Sequence, residues 1–566
     1  MLSTADIAVL VIYLLGITVL GVWMARRVKN LAEFVMPRRF GKAMMMMHTF
    51  GTATHSDQAV GVASKTFTNG LSGIWYQWLW LFPTPFYWLI APFMRRFRAN
   101  TTSDIFEARY NRGVAALFAV VGIAQLSTNI GVMLRGSGEV IAAVLGNEVS
   151  LGPIIAVMTV LFVAYGAAGG LSAAIVTDFV QGLLTIVFSF LLLPFVMSAV
   201  GGLSGLHEKI TDPHMFSLVA PAEIGLFYIL VIAINALIGW VAQPHNLGAC
   251  AAGKTEMEGR VGVVGGSFIK RFCTIAWSLT GLAAVVYFAG ADANPDQVYG
   301  MMAREFFPKI LPGLLGVFVA SLLASVMSSC DSFMIASTGL FTGNLYRPLN
   351  PGKSDRHYLM VARLAALFIV SGGVAYAFWL PDVVKGIEIF WKLGPMMGIA
   401  FWMGLFWRRA TVAGAWASTI AAFFAWWLTS TGFFIDFASA LPGAESLRFV
   451  TEGAAGPEIY MPWQMIFYLT AGILTGVAIS LLTRPVNHER LERYYALIRT
   501  PIQKGEGVPD EPCTLPEGAE TPPPRLLVSR WGLEIPVPGL VSIIGFTASW
   551  ILVAGIIYAF YLIALG

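Results

Sequence analysis

Apolar stretches long enough to cross a hydrocarbon core of about 30 Å recur about fourteen times along this chain, and that recurrence confines it to a helical membrane protein. They cover roughly 5–25, 43–68, 73–94, 114–144, 151–168, 171–199, 223–249, 266–289, 310–345, 359–381, 387–407, 411–433, 463–483 and 537–563. Inside a bilayer each backbone N–H and C=O must find a partner within the protein, so spans of this kind are helices and the fold class is all-α and polytopic. Of 566 residues, 57% are hydrophobic and 12% charged, a balance that excludes a soluble multidomain chain.

Every second connection is basic: Arg26 to Lys42, then Arg95, Arg96, Arg98, Arg109 and Arg112, then Lys254 and Arg260, then Arg347, Lys353 and Arg356, then Arg408 and Arg409, then Arg484 to Arg530. The positive-inside rule places these in the cytoplasm and both termini outside, in a multi-pass protein of the plasma (inner) membrane. The first span follows Asp6 and precedes Arg26, Arg27 and Lys29, the reverse of a signal peptide's basic start, so it is expected to be retained. The net charge of +4 suggests no nucleic acid. Cys250, Cys273, Cys330 and Cys513 have neither disulfide nor zinc spacing. With no clustered nucleophile and base and no phosphate loop, an enzyme is not expected. Residues 485–530 turn Pro-, Glu- and Gly-rich and read as a flexible cytoplasmic loop before a last helix in 531–566.

Three segments break the apolar pattern. Met327 to Ser332 reads Met-Ser-Ser-Cys-Asp-Ser inside the apolar stretch from Ile310 to Leu345, and a carboxylate at membrane depth costs about 2.5 to 3.5 kcal/mol on insertion scales. A cation or a water-filled path offsets such a cost. Projected as a helix, Ser321, Ser325, Ser328, Ser332, Gly339 and Gly343 share one face, flanked by Ser329 and Asp331; a tight helix-packing seam also accounts for the outer small residues. Gly51 to Gln58 interrupts the second span and Gly239 to Asn246 the seventh. Broken helices five spans apart suit two five-helix repeats of opposite topology, with ion and solute sites at the breaks.

Other intramembrane charges include Lys65, which either reads an anionic solute or extends to the outer interface. Arg135 with Glu139, and Glu388 with Lys392, have the i,i+4 spacing of internal salt bridges. His245 follows a proline near the second break, as a proton carrier or a structural hydrogen-bonder.

At Gly169-Gly170, followed by Thr177-Asp178 and then Gln181, the chain resembles the sodium/solute symporter family. Leu405-Phe406-Trp407-Arg408-Arg409-Ala410-Thr411 with Gly414-Ala415, the Ser328-Ser329 pair, and Gln243-Pro244-His245 with Ala251-Ala252 agree with it, the last being similar to the family's proline-transporter branch. The resemblance implies a leucine-transporter-like five-plus-five inverted repeat: an extra helix and loop in 1–40, the transport core in 41–410, additional helices in 411–484, and a remainder beyond about 485 that the resemblance does not cover. It implies a sodium-coupled symporter importing a small polar organic solute, an amino acid or a carboxylate, by alternating access. A proton-coupled version, or a symporter-like membrane sensor or scaffold, are the alternatives.

Carried over residue by residue, the resemblance implies a sodium site from the carbonyls of Gly51, Thr54 and Ser325 and the hydroxyls of Ser328 and Ser329. Sodium favours oxygen ligands, and neutral dipoles hold it loosely enough to release it. Asp178 matches an acidic residue on the family's sodium exit path. Asp331 and Ser332 stand where members place serines, so Asp178, Asp331 and Ser332 form either a second cation site or a proton site. Solute contacts are expected at His55, Gln58, Asn129, Trp240 and Gln243, with Lys65 as a further candidate. Ala53, Asn129 and Ala236 depart from the proline branch, which puts proline in doubt as the solute.

Overall fold

The computed structural model describes residues 2–25, 34–220, 224–453, 456–503, 505–507, 509 and 511–565. Arg26, Arg27 and Lys29 lie outside them. Helix α1 (Thr4–Ala25) is followed by α2 (Lys42–Ala53) and α3 (Ser56–Asn69), two halves of one span joined by extended backbone at Thr54 and His55. The break falls within the stretch of Thr, Ser, Asp and His, residues whose side chains are β-branched or compete for backbone hydrogen bonds. Next come α4 (Thr84–Arg96), α5 (Arg112–Val144) and α6 (Leu151–Leu191). Helix α6 is bent at Gly170, whose φ of +59° suits glycine, and whose Cβ, were one present, would stand 2.6 Å from Phe34.

The seventh span is α7 (Leu226–Trp240) and α8 (His245–Ala251), bent by 71° across the break. Helices α9 (Glu256–Tyr287), α10 (Leu314–Gly339), α11 (Asp355–Trp379), α12 (Val383–Phe406), α13 (Val412–Thr429), α14 (Met461–Leu482), α15 (His488–Arg499) and α16 (Leu540–Leu565) complete the bundle. Among the described residues ten helices are long and apolar enough to cross a membrane, eleven with the bent pair. The other three stretches of the sequence count are the broken α2–α3, the short α4 and the first arm of α6.

Two helices position the site. Helix α10 packs against α6, α5, α1 and α2, while α9 packs against α2, α3 and α4. The broken span therefore has the serine face of α10 on one side and the middle of α9 on the other. A capping box at Thr255, whose side chain and backbone bond Glu258, sets where α9 begins. Lys270 then lies roughly 20 Å along the axis at 1.5 Å per residue, deep inside the bundle.

The segment 485–530 is not a free loop. Leu491, Tyr494, Tyr495 and Ile498 form one apolar stripe of α15 and are buried against the basic end of the bundle. Arg98 pairs with Glu506 at 2.7 Å, Arg96 donates to Ile498 O at 3.1 Å, and Arg408 pairs with Glu492 and, just beyond the segment, Glu534. Backbone bonds from Arg408 N to Gly532 O and from Glu534 N to Phe406 O extend the contact. The Pro-rich composition hid this because its anchors, the arginines of other connections, lie 84 to 408 residues away.

Candidate functional site

The last turn of α2 meets α10 at the bilayer-buried break. Ser329 Oγ donates to Gly51 O and to Ser325 O, both at 3.1 Å. Gly51 O also accepts from Thr54 N at 3.4 Å. Gly51 has to be glycine here: a Cβ would stand 2.8 Å from Ser328 Oγ. Gly51, Ser325 and Ser329 are thus joined through their oxygens into a cradle with Ser328 Oγ against Gly51, and Thr54 is tied to them by its N–H on Gly51 O, every side chain among them buried.

Ser328 Oγ donates to Asp178 Oδ1 at 2.5 Å, and the other carboxylate oxygen takes His48 Nδ1 at 2.6 Å, with Thr52 Oγ1 at 3.5 Å. Thr52 Oγ1 in turn lies 3.0 Å from Ser332 Oγ. A polar chain therefore runs from the cradle through Asp178 to Ser332. It ends at a cavity of about 30 Å³ lined by His48, Ser332, His245, Asn100 and Thr101 among others, on the side of the basic connections. Asp331, 1% exposed, interacts electrostatically with Tyr13 of α1, which accepts from Gln181 at 3.2 Å. Asp178 thus has His48 as its close ionisable partner, a residue the sequence reading passed over. The available signal was a histidine one helical turn before Thr52 in an otherwise apolar Met-rich run.

On the other side of the break a cavity of about 60 Å³ brings together His55, Gln58, Asn129, Trp240 and Gln243. Trp240 stacks on Tyr87 with ring centres 4.1 Å apart. Asn246 Nδ2 donates to Trp240 O at 2.8 Å and to Gln243 Oε1 at 3.1 Å, satisfying backbone that the broken turn leaves open. His55 pairs with Asp57, and Gln58 Nε2 lies 2.9 Å from His55 Nε2. His245 lines both cavities, its ring 4.3 Å from that of Phe333.

Lys65 does not join this lining. Its Nζ sits 5.4 Å from the Tyr76 ring centre, because α3 turns it away from the break. The Glu388–Lys392 pair does not form either: Glu388 accepts from Tyr76 at 2.8 Å and has Lys385 at 3.8 Å. Arg135 and Glu139 do pair, at 3.0 Å. The cations that reach the cavity are Lys270 and Arg271 of α9, a basic pair that stands within the apolar stretch 266–289 and is absent from the candidates drawn from the sequence.

Two broken helices, an oxygen cradle at one break and a solute-sized lining beside it are the features of an ion-coupled secondary transporter. The chain belongs to the sodium:solute symporter family, whose model matches residues 34–422. It is 24% identical to sodium/myo-inositol cotransporter 2 of Bos taurus over 93% of this chain and 82% of that one. It is 26% identical to the osmoregulated proline transporter OpuE of Bacillus subtilis over 74% and 88%. The similarity to both kinds of carrier singles out no branch. A sodium-coupled sialic acid symporter in a substrate-bound outward-open state superposes with a TM-score of 0.71 at 18% identity, covering 86% of this chain and 99% of that one. The fold is the leucine-transporter-like one, and the protein is a sodium-coupled symporter rather than an enzyme.

Proposed function

We propose that this symporter imports a small polar organic solute, an amino acid or a carboxylate, by alternating access, with the basic face and α15 in the cytoplasm and both termini outside. The observation that carries it is the sharing of one helix break by two sites. Gly51, Thr54, Ser325, Ser328 and Ser329 hold sodium on one side. His55, Gln58, Asn129, Trp240 and Gln243 contact the solute on the other. Sodium bound between α2 and α10 fixes the turn from which the solute cavity is built, so each ligand tightens the other by the same factor.

Asp178 gives the ion a route out: its oxygen on Ser328 faces the cradle, and its contacts through Thr52 lead to Ser332 and the inner cavity. Asp178, Asp331 and Ser332 are the residues of a second cation position. One observation favours proton coupling there instead, namely the His48–Asp178 pair. Uptake by proteoliposomes with sodium replaced by choline at fixed pH tests the proposal. Uptake abolished in choline supports sodium as the driving ion; uptake unchanged in choline but driven by a pH gradient transfers the role to the proton.

A further inference from the structure

The solute cavity is charged on one side only. Among the described residues its lining carries Lys270 and Arg271, 4% and 3% exposed, and neither aspartate nor glutamate. Asp57, at the start of α3, is engaged by His55 and interacts electrostatically with Lys270 from outside the lining. Lys270 Nζ donates to Ala53 O at 2.5 Å and lies 5.5 Å from the Trp80 ring centre. Arg271 Nη1 donates to Gln77 O at 2.7 Å. Its Nε and Asn129 Nδ2 are buried donors without a hydrogen-bond partner, and the same lining leaves Tyr87 OH, His245 Nδ1 and the acceptor Gln58 Oε1 unpartnered as well. Native proteins rarely leave such donors orphaned, and an orphan beside a binding cavity points to a ligand acceptor.

Ala53 and Gly51 belong to the same last turn of α2. Gly51 O accepts from Ser329 on α10, and Ala53 O from Lys270 on α9. One break thus turns one carbonyl toward the oxygen cradle and the other toward a side-chain amine tethered to the opposite helix.

We propose that Lys270 is the solute-reading residue and that the solute is a small organic monocarboxylate. This rests on the symport function proposed above and narrows it. The carboxylate takes Nζ in place of the Ala53 carbonyl, and Arg271 Nε and Asn129 Nδ2 supply its remaining donors. A zwitterionic amino acid would bring an ammonium to a lining without a carboxylate, and a polyol would leave Arg271 without a counter-charge and Lys270 with only the outlying Asp57, which His55 already engages. Drawing Nζ off Ala53 O acts on the turn that also presents Gly51 O, so arrival of the anion is felt at the sodium cradle.

The test is thermal stability of the purified full-length protein, with and without sodium, against acetate and lactate, their carboxamides acetamide and lactamide, and proline and myo-inositol. A ligand of the native state raises the melting temperature by mass action. Stabilisation by acetate or lactate in sodium, with the matching amide roughly tenfold weaker or more, is expected. In Lys270→Gln that discrimination collapses, and in Lys270→Arg it is partly kept. If Lys270→Gln does not fold, the carboxylate and amide pairs on the unaltered protein decide by themselves. An amide equal to its acid, or sodium-dependent stabilisation by proline or myo-inositol alone, overturns the role of Lys270 while leaving the symporter intact. No sodium-dependent effect from any solute counts against the proposed symport of small polar solutes, and the monocarboxylate proposal falls with it.

Discussion

His48 Nδ1 stands 2.6 Å from Asp178 Oδ2, and neither side chain is more than 1% exposed. The imidazole fixes the carboxylate, the carboxylate accepts from Ser328 at 2.5 Å, and Ser328 faces Gly51. Orientation of the hydroxyl proposed as a sodium ligand is thereby set two residues back. Removing outer-shell partners of this kind typically weakens ion affinity by about 10- to 100-fold.

Replacing His48 with Gln should therefore raise the sodium concentration needed for half-maximal uptake by roughly tenfold. The maximal rate should change less. An unaltered sodium titration in His48→Gln would remove the imidazole from the ion pathway.

Ser328→Ala and Ser329→Ala should each raise the sodium requirement, and Gly51→Ala should do so most. A Cβ at Gly51 would approach Ser328 Oγ to 2.8 Å and Asp178 Cβ to 3.4 Å, spreading α2 from α10. Overpacking of this sort costs about 1–3 kcal/mol. Sodium-dependent thermal shift, which needs no solute, measures all three variants.

Acid should loosen the 485–530 segment around Glu506. Burial pushes the Glu506 carboxyl up, but its hydrogen bond and charge contact with Arg98 outweigh this and hold it below the usual glutamate value of 4.5. A depressed folded-state value contributes stability that is fully present above about pH 4.5 and is lost as pH falls through the folded value. Limited proteolysis of this segment should accelerate below roughly pH 4, and Glu506→Gln should be cleaved faster already at pH 7.

The docking of α15 should depend more on its apolar stripe than on its surface charges. Tyr494 is 2% exposed and packs 5.3 Å from Phe97, so Tyr494→Ala should destabilise by about 3 kcal/mol. Arg408 is a quarter exposed, and Arg408→Ala should cost about 1 kcal/mol or less despite its two carboxylate partners. Melting curves in detergent rank the two. Uptake should survive deletion of residues 505–524, none of whose described residues lines either cavity.

The sequence alone determined where the chain crosses or breaks. Apolar length, the interruptions at 51–58 and 239–246 and the alternation of basic connections are local properties, set by the water-to-lipid transfer of consecutive residues. It also drew attention to the polar runs around Gly51 and around Ser328-Ser329, anomalous at membrane depth, and the resemblance to sodium/solute symporters supplied the expectation that they bind sodium. What it did not reveal was pairing across helices. That Asp178 meets His48, that Lys270 takes the Ala53 carbonyl while Lys65 turns to Tyr76, and that Glu506 finds Arg98 depends on which helix faces which and at what rotation. All but the Lys65 contact come from packing between segments 130 to 408 residues apart, and periodicity along a single helix carries no record of them.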